Sequence, residues 1–386
     1  MGSLSVSKEK AMELANLVLL AYGMHEEFKE KTILANENKW KFTKILHGSS
    51  ERQFDYHNPL FSQLNGPPIN YKVLAEFWHT DRPVGKLRLE TVPFGFIAAK
   101  LQENETRTKF EEIYVVFRGT LNSQEWAANA RFKKSEVVKG LPGSGFVHRG
   151  FNSIFEASYT DRLKSLRGLF TDLKRKALGI QAPPEFRQES IRETLERVLF
   201  NTEIVSPKAR IYITGHSLGA ALAFLAGRVI INAGRIVAGA SRPPKDNPYN
   251  ERLAICTFAG PRVGDNAFKS VFNEINVVRY VNTEDIVPTV PPATSKLTGA
   301  DMRLTPEGLR SYKLDGISSI ANVYRVSAGS VQNNQGTQQQ NPFTHIGKQR
   351  TFTLSQDSIS FNHNLQETYR EGILLCHDKH TQTQQG

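Results

Sequence analysis

Residues 211–214 read Ile-Tyr-Ile-Thr, the next five are Gly215, His216, Ser217, Leu218 and Gly219, and residues 220–226 read Ala-Ala-Leu-Ala-Phe-Leu-Ala. An apolar β-prone run, a serine between two glycines and an alanine-leucine run specify strand, tight turn and helix in immediate succession. In such a turn the serine hydroxyl stands clear of the sheet edge, where a general base can activate it. Glycines at either end lack the Cβ atoms that would collide in so sharp an elbow. The bare Gly-x-Ser-x-Gly pattern arises by chance in about one chain in eight of this length. Its setting therefore carries the argument.

The remaining pattern alternates strands and helices. An amphipathic helix is expected over 7–22, and β-rich runs over 71–78 and 86–101 around a Pro-Gly turn at 83–85. Glu112 to Phe117 reads as a buried strand, with further strands over 210–214, 253–258 and 277–281, and the chain regains order over 350–354. Helices are expected over 152–178, 185–200 and 364–376, with a break at Ala182-Pro183-Pro184. This alternation implies an α/β fold with a mostly parallel central sheet and helices on both faces. Between Thr294 and Thr344 the pattern loosens, and 332–341 is a polar low-complexity loop read as a connection. With no repeat and no internal linker, residues 1–386 read as one elaborated domain: an N-terminal helical and β extension (1–111), a core (about 112–376) and a polar tail (377–386).

Composition narrows the functional classes. No apolar run is long enough to span a bilayer, and residues 14–22 are interrupted by polar Asn16 with no cleavage site after them. Val6 stands where a myristoylation signal needs Ser or Thr. The expectation is a cytoplasmic or peripheral membrane location. Two cysteines, Cys256 and Cys376, cannot build a disulfide framework, and Cys256 sits in an apolar run that suits a buried thiol. The net charge of +11 calls for an anionic partner or none in particular. Without zinc-ligand spacing or an RNA-recognition signature, nucleic acid is the weakest choice, and no metal or cofactor is expected. Leu163, Leu166, Phe170, Leu173 and Ala177 share a helical face, with basic residues elsewhere. That suits contact with an anionic membrane surface, although packing on the sheet is the favoured reading.

If Ser217 is a nucleophile at a sheet edge, an acid and then a histidine should follow it in chain order. Strand 277–281 leads into Glu284 and Asp285, either of which could fix an imidazole tautomer. For the base, His345, His363, His377 and His380 remain open. His363 lies in a loop leading into a helix, from which its ring could reach back over the sheet edge, whereas the last two fall in the polar tail. Acyl transfer also needs donors for the developing oxyanion. The amide of Leu218 is one, and the turn Phe117-Arg118-Gly119-Thr120 after an earlier strand offers Thr120 as another.

At this point the chain resembles the class 3 lipases, α/β-hydrolases that include fungal triacylglycerol lipases and plant phospholipase A1 enzymes. Residues 115–120 resemble the oxyanion-loop signature, with Trp126 and Asn129 in a following lid segment. Residues 147–151 resemble a His-x-Gly-Phe element, 213–223 the nucleophile motif, 258–265 the strand-turn after it, and 279–292 the acid-bearing segment. The similarity implies an α/β-hydrolase fold, a Ser217-Asp285-His363 triad, an oxyanion hole of Thr120 and Leu218, and a lid over 121–132. Ala220 stands where a third glycine is common, and the stretch from Asp285 to His363 is longer than the family core needs. The absence of a signal peptide and disulfides counts against secretion. The expected function is a serine hydrolase that cleaves carboxylic esters of lipids through an acyl-enzyme, with a lipid ester as partner. The competing expectation is a catalytically silent α/β-hydrolase scaffold that binds membranes peripherally. Headgroup preference and oligomeric state have no readable code.

Overall fold

The computed structural model describes residues 4–35, 53–54, 71–81, 90–101, 109–120, 134–135, 145–164, 173, 187–238, 247–291, 343–356 and 359–382. Among these, one sheet of eight strands organises the chain: β1 (Gln53–Phe54), β2 (Tyr71–Asp81), β3 (Glu90–Lys100), β4 (Phe110–Phe117), β5 (Val205–His216), β6 (Leu253–Phe258), β7 (Asn276–Asn282) and β8 (Lys348–Phe352). The strands lie side by side in chain order. Three antiparallel pairings from β1 to β4 are followed by four parallel ones from β4 to β8. The segment before residue 112 thus supplies strands to the same sheet as the core.

Alternation along the strands builds two cores. In β4, Ile113, Val115 and Phe117 join the cluster on one face, while Tyr114 and Val116 join the cluster on the other. The first face is covered by α2 (Arg149–Glu156), α4 (Ile191–Leu199), α5 (Leu218–Ala238) and the short α6 (Asn266–Ser270), and the second by α1 (Lys8–Ala35) and α8 (Arg370–Gln382). Helix α5 is buried nearly all round as far as Ile231, in keeping with an apolar sequence that has no polar face in its first half. A sheet parallel over its second half and covered on both sides by helices is the α/β architecture expected from the alternating pattern. No described helix is long and apolar enough to cross a membrane.

Local signals correct several expected boundaries. The helix expected over 152–178 is interrupted after Glu156, because Ser158 starts a new helix, α3 (Tyr159–Leu163), through a reciprocal capping box with Asp161. Its charged continuation lies largely outside the described residues, although Leu173 is 64% exposed. Likewise α4 begins at Ile191 rather than near 185, since Ser190 and Glu193 form a second capping box. Helix α1 runs on to Ala35, so the amphipathic stretch over 7–22 and the helical segments expected across the first forty or so residues form one helix. Helix α8 continues to Gln382, so His377 and His380 lie in a helix rather than an irregular tail. The turn at 83–85, the lid segment 121–132 with Trp126 and Asn129, and the loop 332–341 lie outside the described residues. Neither cysteine forms a disulfide, and Cys256 is buried.

Candidate active site

Strand β5 ends at His216 and α5 begins at Leu218, so Ser217 alone makes the turn. Its φ of 58° is a left-handed value that a side-chain-bearing residue rarely adopts. The flanking glycines are required by contact. A Cβ on Gly215 would lie 2.2 Å from the Gly219 carbonyl oxygen, and one on Gly219 would lie 2.5 Å from that of Arg118. Ala220, in place of a third glycine, is accommodated by Gly260, where an added Cβ would come within 2.8 Å of the Ala220 methyl. The Ser217 amide donates to the Phe258 carbonyl at 3.0 Å, tying the elbow to β6. The Ser217 hydroxyl is buried and has no hydrogen-bond partner among the described residues.

Asp285 follows β7 and is buried, with its side chain fully shielded. Its carboxylate accepts three hydrogen bonds: from His363 Nδ1 at 2.8 Å, from the Tyr369 hydroxyl at 2.6 Å and from the Val287 amide at 2.9 Å. A carboxylate only accepts, so Nδ1 of His363 carries a proton, and the tautomer this bond selects has its lone pair on Nε2. That is the tautomer a general base for a serine must have. Burial, and then the neighbouring Asp285, raise Tyr369 well above the ordinary phenol range, so it remains a donor. Of the two candidate acids, Asp285 holds the ring, whereas Glu284 is half-buried and accepts from the Thr283 hydroxyl.

The long stretch between acid and base is closed by Asn282 at the end of β7. Its amide group donates to the carbonyls of Leu354 and Asn362 at 2.7 and 3.1 Å, and its oxygen accepts from the Leu354 amide at 3.0 Å. Asn362 in turn donates to the Glu284 carbonyl at 3.4 Å. The strand carrying the acid and the loop carrying the base are thereby bound to each other, whatever the length of chain between them. His363 sits between α7 (Ile359–Asn362) and the π-helical turn Leu365–Tyr369. Its ring centroid lies 4.6 Å from that of His216, next to Ser217. His345 is elsewhere: its Nδ1 accepts from Arg279 at 3.1 Å, and burial, then the charges of Arg279 and Arg262, push it down to about 2.

The turn after β4 reaches the same place. An added Cβ on Gly119 would lie 2.8 Å from the Ser217 Cβ, so only glycine allows this approach. Arg118 is fully buried, stacks over the Phe94 ring at 4.3 Å and donates to the carbonyls of Pro93 and Gly119 at 2.7 Å each. The Gly119 carbonyl and the Thr120 N–H belong to one planar trans peptide, so the guanidinium that holds the first also fixes the direction of the second. Leu218 opens α5, and its amide belongs to the first turn of a helix, whose N–H groups have no intrahelical acceptor. His148 does not enter this group. It caps α2, with Nδ1 accepting from the amides of Gly150 and Phe151 at 3.1 and 3.4 Å, and burial pushes it down to about 4.

The structure thus brings Ser217, Asp285, His363, Thr120 and Leu218 to one end of the parallel strands. Residues 114–295 match the family model for lipase (class 3). This region belongs to the class 3 lipase family. The match spans the elbow, the strand that leads to Asp285 and the turn at Gly119. It stops before His363, the residue that the Asn282 bonds recover. Phospholipase A1-II 3 of Oryza sativa subsp. japonica is 31% identical over 218 residues, covering 54% of this chain and 46% of that protein. Phospholipase A1-Igamma3, chloroplastic, of Arabidopsis thaliana is 28% identical over 200 residues, covering 51% and 34%. The chain spans about half the length or less of these curated relatives. A lipase of Rhizopus microsporus var. chinensis aligns over 75% of this chain and 71% of its own, at 21% identity and a TM-score of 0.33.

Sequence reasoning missed Tyr369, Asn282, Arg118 and Tyr22, whose hydroxyl enters the site from α1. Arg118 and Asn282 fall inside family-like segments without an assigned role, and Tyr22 and Tyr369 fall outside them. Tyr369 follows Leu365 at helical spacing and reads as a core residue, and its polar tip becomes meaningful only once β7 is beside it.

Proposed function

We propose that this class 3 lipase family member is a serine hydrolase that cleaves carboxylic ester bonds of lipids, with Ser217 as nucleophile, His363 as base and Asp285 as orienting acid. The observation that carries the reading is the hydrogen bond of 2.8 Å between His363 Nδ1 and buried Asp285, formed beside a serine held at positive φ. On binding an ester, the Ser217 hydroxyl turns toward His363 Nε2, a bond that such sites often make only with substrate in place. Oγ attacks the carbonyl carbon while Nε2 takes its proton, and Asp285 stabilises the resulting imidazolium. The amides of Thr120 and Leu218 receive the oxyanion. Collapse expels the alcohol, which takes the proton from Nε2 and leaves an acyl-enzyme on Ser217. Water then repeats the sequence, releasing a fatty acid and restoring the free hydroxyl.

The phospholipase names of the relatives and the family match favour a lipid over a small ester. The test is release of fatty acid from separate vesicles of phospholipid, galactolipid, monoacylglycerol and triacylglycerol by the wild type and by Ser217→Ala. Release from at least one lipid that vanishes in the variant supports the reading. A wild type inert toward all of them, yet bound to the vesicles, would leave the silent-scaffold reading in its place.

A further inference from the structure

Three loops of the site are joined by a single run of hydrogen bonds with a defined direction. His216 Nε2 lies 2.9 Å from the carbonyl oxygen of His363, and a carbonyl only accepts, so Nε2 carries a proton. Burial first, then proximity to His363, hold His216 well below the usual histidine range, so the ring is neutral and Nδ1 must accept. The group 2.9 Å from Nδ1 is the Tyr22 hydroxyl, which therefore donates to it. The Tyr22 oxygen then accepts from the Gly119 amide, also at 2.9 Å. Within this run the Gly119 amide only donates and the His363 carbonyl only accepts, while Tyr22 and His216 each do both, linking the turn after β4, through α1 and the elbow, to the loop that holds the base.

The geometry points to Tyr22 as a positioning residue of the active site, which holds the Gly119–Thr120 turn in register with Ser217 and His363. This inference rests on the hydrolase reading and adds a residue from outside the matched region. Gly119 is held at both ends, its amide by Tyr22 and its carbonyl by Arg118. Two successive peptide planes ahead of the Thr120 side chain are thereby set, and the second of them carries the Thr120 N–H. The Tyr22 hydroxyl also fills the space a side chain at residue 119 would need, since an added Cβ there would lie 2.4 Å from it. Helix α1 brings Tyr22 here because Ala11, Leu14, Ala15, Val18 and Ala21 bury one stripe against the sheet, leaving the ring at the stripe's edge.

Tyr22→Phe keeps the ring and removes the oxygen, leaving the Gly119 amide and His216 Nδ1 without their partner. Turnover of a soluble p-nitrophenyl ester should fall about tenfold with KM within twofold, less than the ~100-fold or more for deleting an oxyanion donor outright. The Gly119 amide should lose protection in hydrogen exchange, a readout that needs no activity. Leu17→Ala, which removes a buried apolar contact of α1 and leaves the Tyr22 hydroxyl in place, should lower Tm but leave kcat and Gly119 exchange unchanged. The inference is overturned if Tyr22→Phe keeps wild-type kcat, if Leu17→Ala lowers kcat equally, or if Gly119 exchange is unaltered by the loss of the hydroxyl. A wild type without turnover would sink the hydrolase reading instead, and Gly119 exchange would still report on the relay.

Discussion

Asp285→Asn places the acid-base pair under the most informative strain. Three donors converge on this carboxylate: Nδ1–H of His363 and the Tyr369 hydroxyl on Oδ2, and the Val287 amide on Oδ1. An asparagine has one acceptor oxygen and one NH2. If the oxygen faces Val287, the NH2 faces His363, whose ring must shift its proton to Nε2 and can no longer accept from Ser217. If the oxygen faces His363, the NH2 meets the Val287 amide, leaving two donors opposed in a buried site. The second orientation costs about 1–3 kcal/mol for the unsatisfied donor, so the first prevails and the base is held in the wrong tautomer. Turnover should fall about 10⁴-fold, or ~5.5 kcal/mol of transition-state stabilisation. The assay is kcat on a p-nitrophenyl ester alongside the rate of labelling by a fluorophosphonate, and both should fall together. Glu284→Gln is the paired control, because its carboxylate does not hold the ring, and it should retain wild-type kcat. An Asp285→Asn enzyme within tenfold of wild type, or an equal loss in Glu284→Gln, would refute this reasoning.

Other outcomes follow from the same contacts. Ser217→Gly should raise thermal stability while abolishing turnover, since it removes both the strain of a side chain at a φ of 58° and a buried hydroxyl with no partner among the described residues. Calorimetry should show a gain of about 1–3 kcal/mol. Gly219→Ala pushes a methyl to within 2.6 Å of the Phe117 carbonyl oxygen and should cost about 1–3 kcal/mol in denaturant titrations. Acid should destabilise the fold through buried histidines. His148 is pushed down to about 4, His345 to about 2 and His216 well below its ordinary value, each chiefly by burial. In the unfolded chain these rings bind protons near pH 6.5. Stability is therefore complete above about 6.5 and falls as pH drops toward 4, with a limiting slope of three protons, about 4 kcal/mol per pH unit. Denaturant titrations between pH 7 and 5 measure this slope, and His345→Gln should reduce it by one proton.

The elements legible in the sequence are those whose signals are local. The strands through Ile211, Leu253 and Val277 announce themselves as apolar runs, and the elbow as glycines in a strand-turn-helix setting. Ser217 and the turn at Gly119 follow from such cues. Helix starts were misjudged where Ser158 and Ser190 cap, because a capping box inside a longer helical pattern acts only when the chain ahead of it turns away. Choosing among four histidines needed a contact between residues 72 to 80 positions apart. Asn282 makes that contact through the Leu354 and Asn362 carbonyls, and no spacing in the chain foretells it. Tyr22 and Tyr369 likewise read as core aromatics until the fold brings their hydroxyls to Gly119 and Asp285.

The central claim is that the Ser217 oxygen forms a covalent acyl intermediate. Incubation with a fluorophosphonate, followed by intact-mass analysis and peptide mapping, tests this most directly. One adduct per chain, located on the peptide bearing Ser217 and lost in Ser217→Ala and in His363→Ala, is the predicted result. Ester turnover that survives in Ser217→Ala, or an adduct mapped to another residue, would contradict the account.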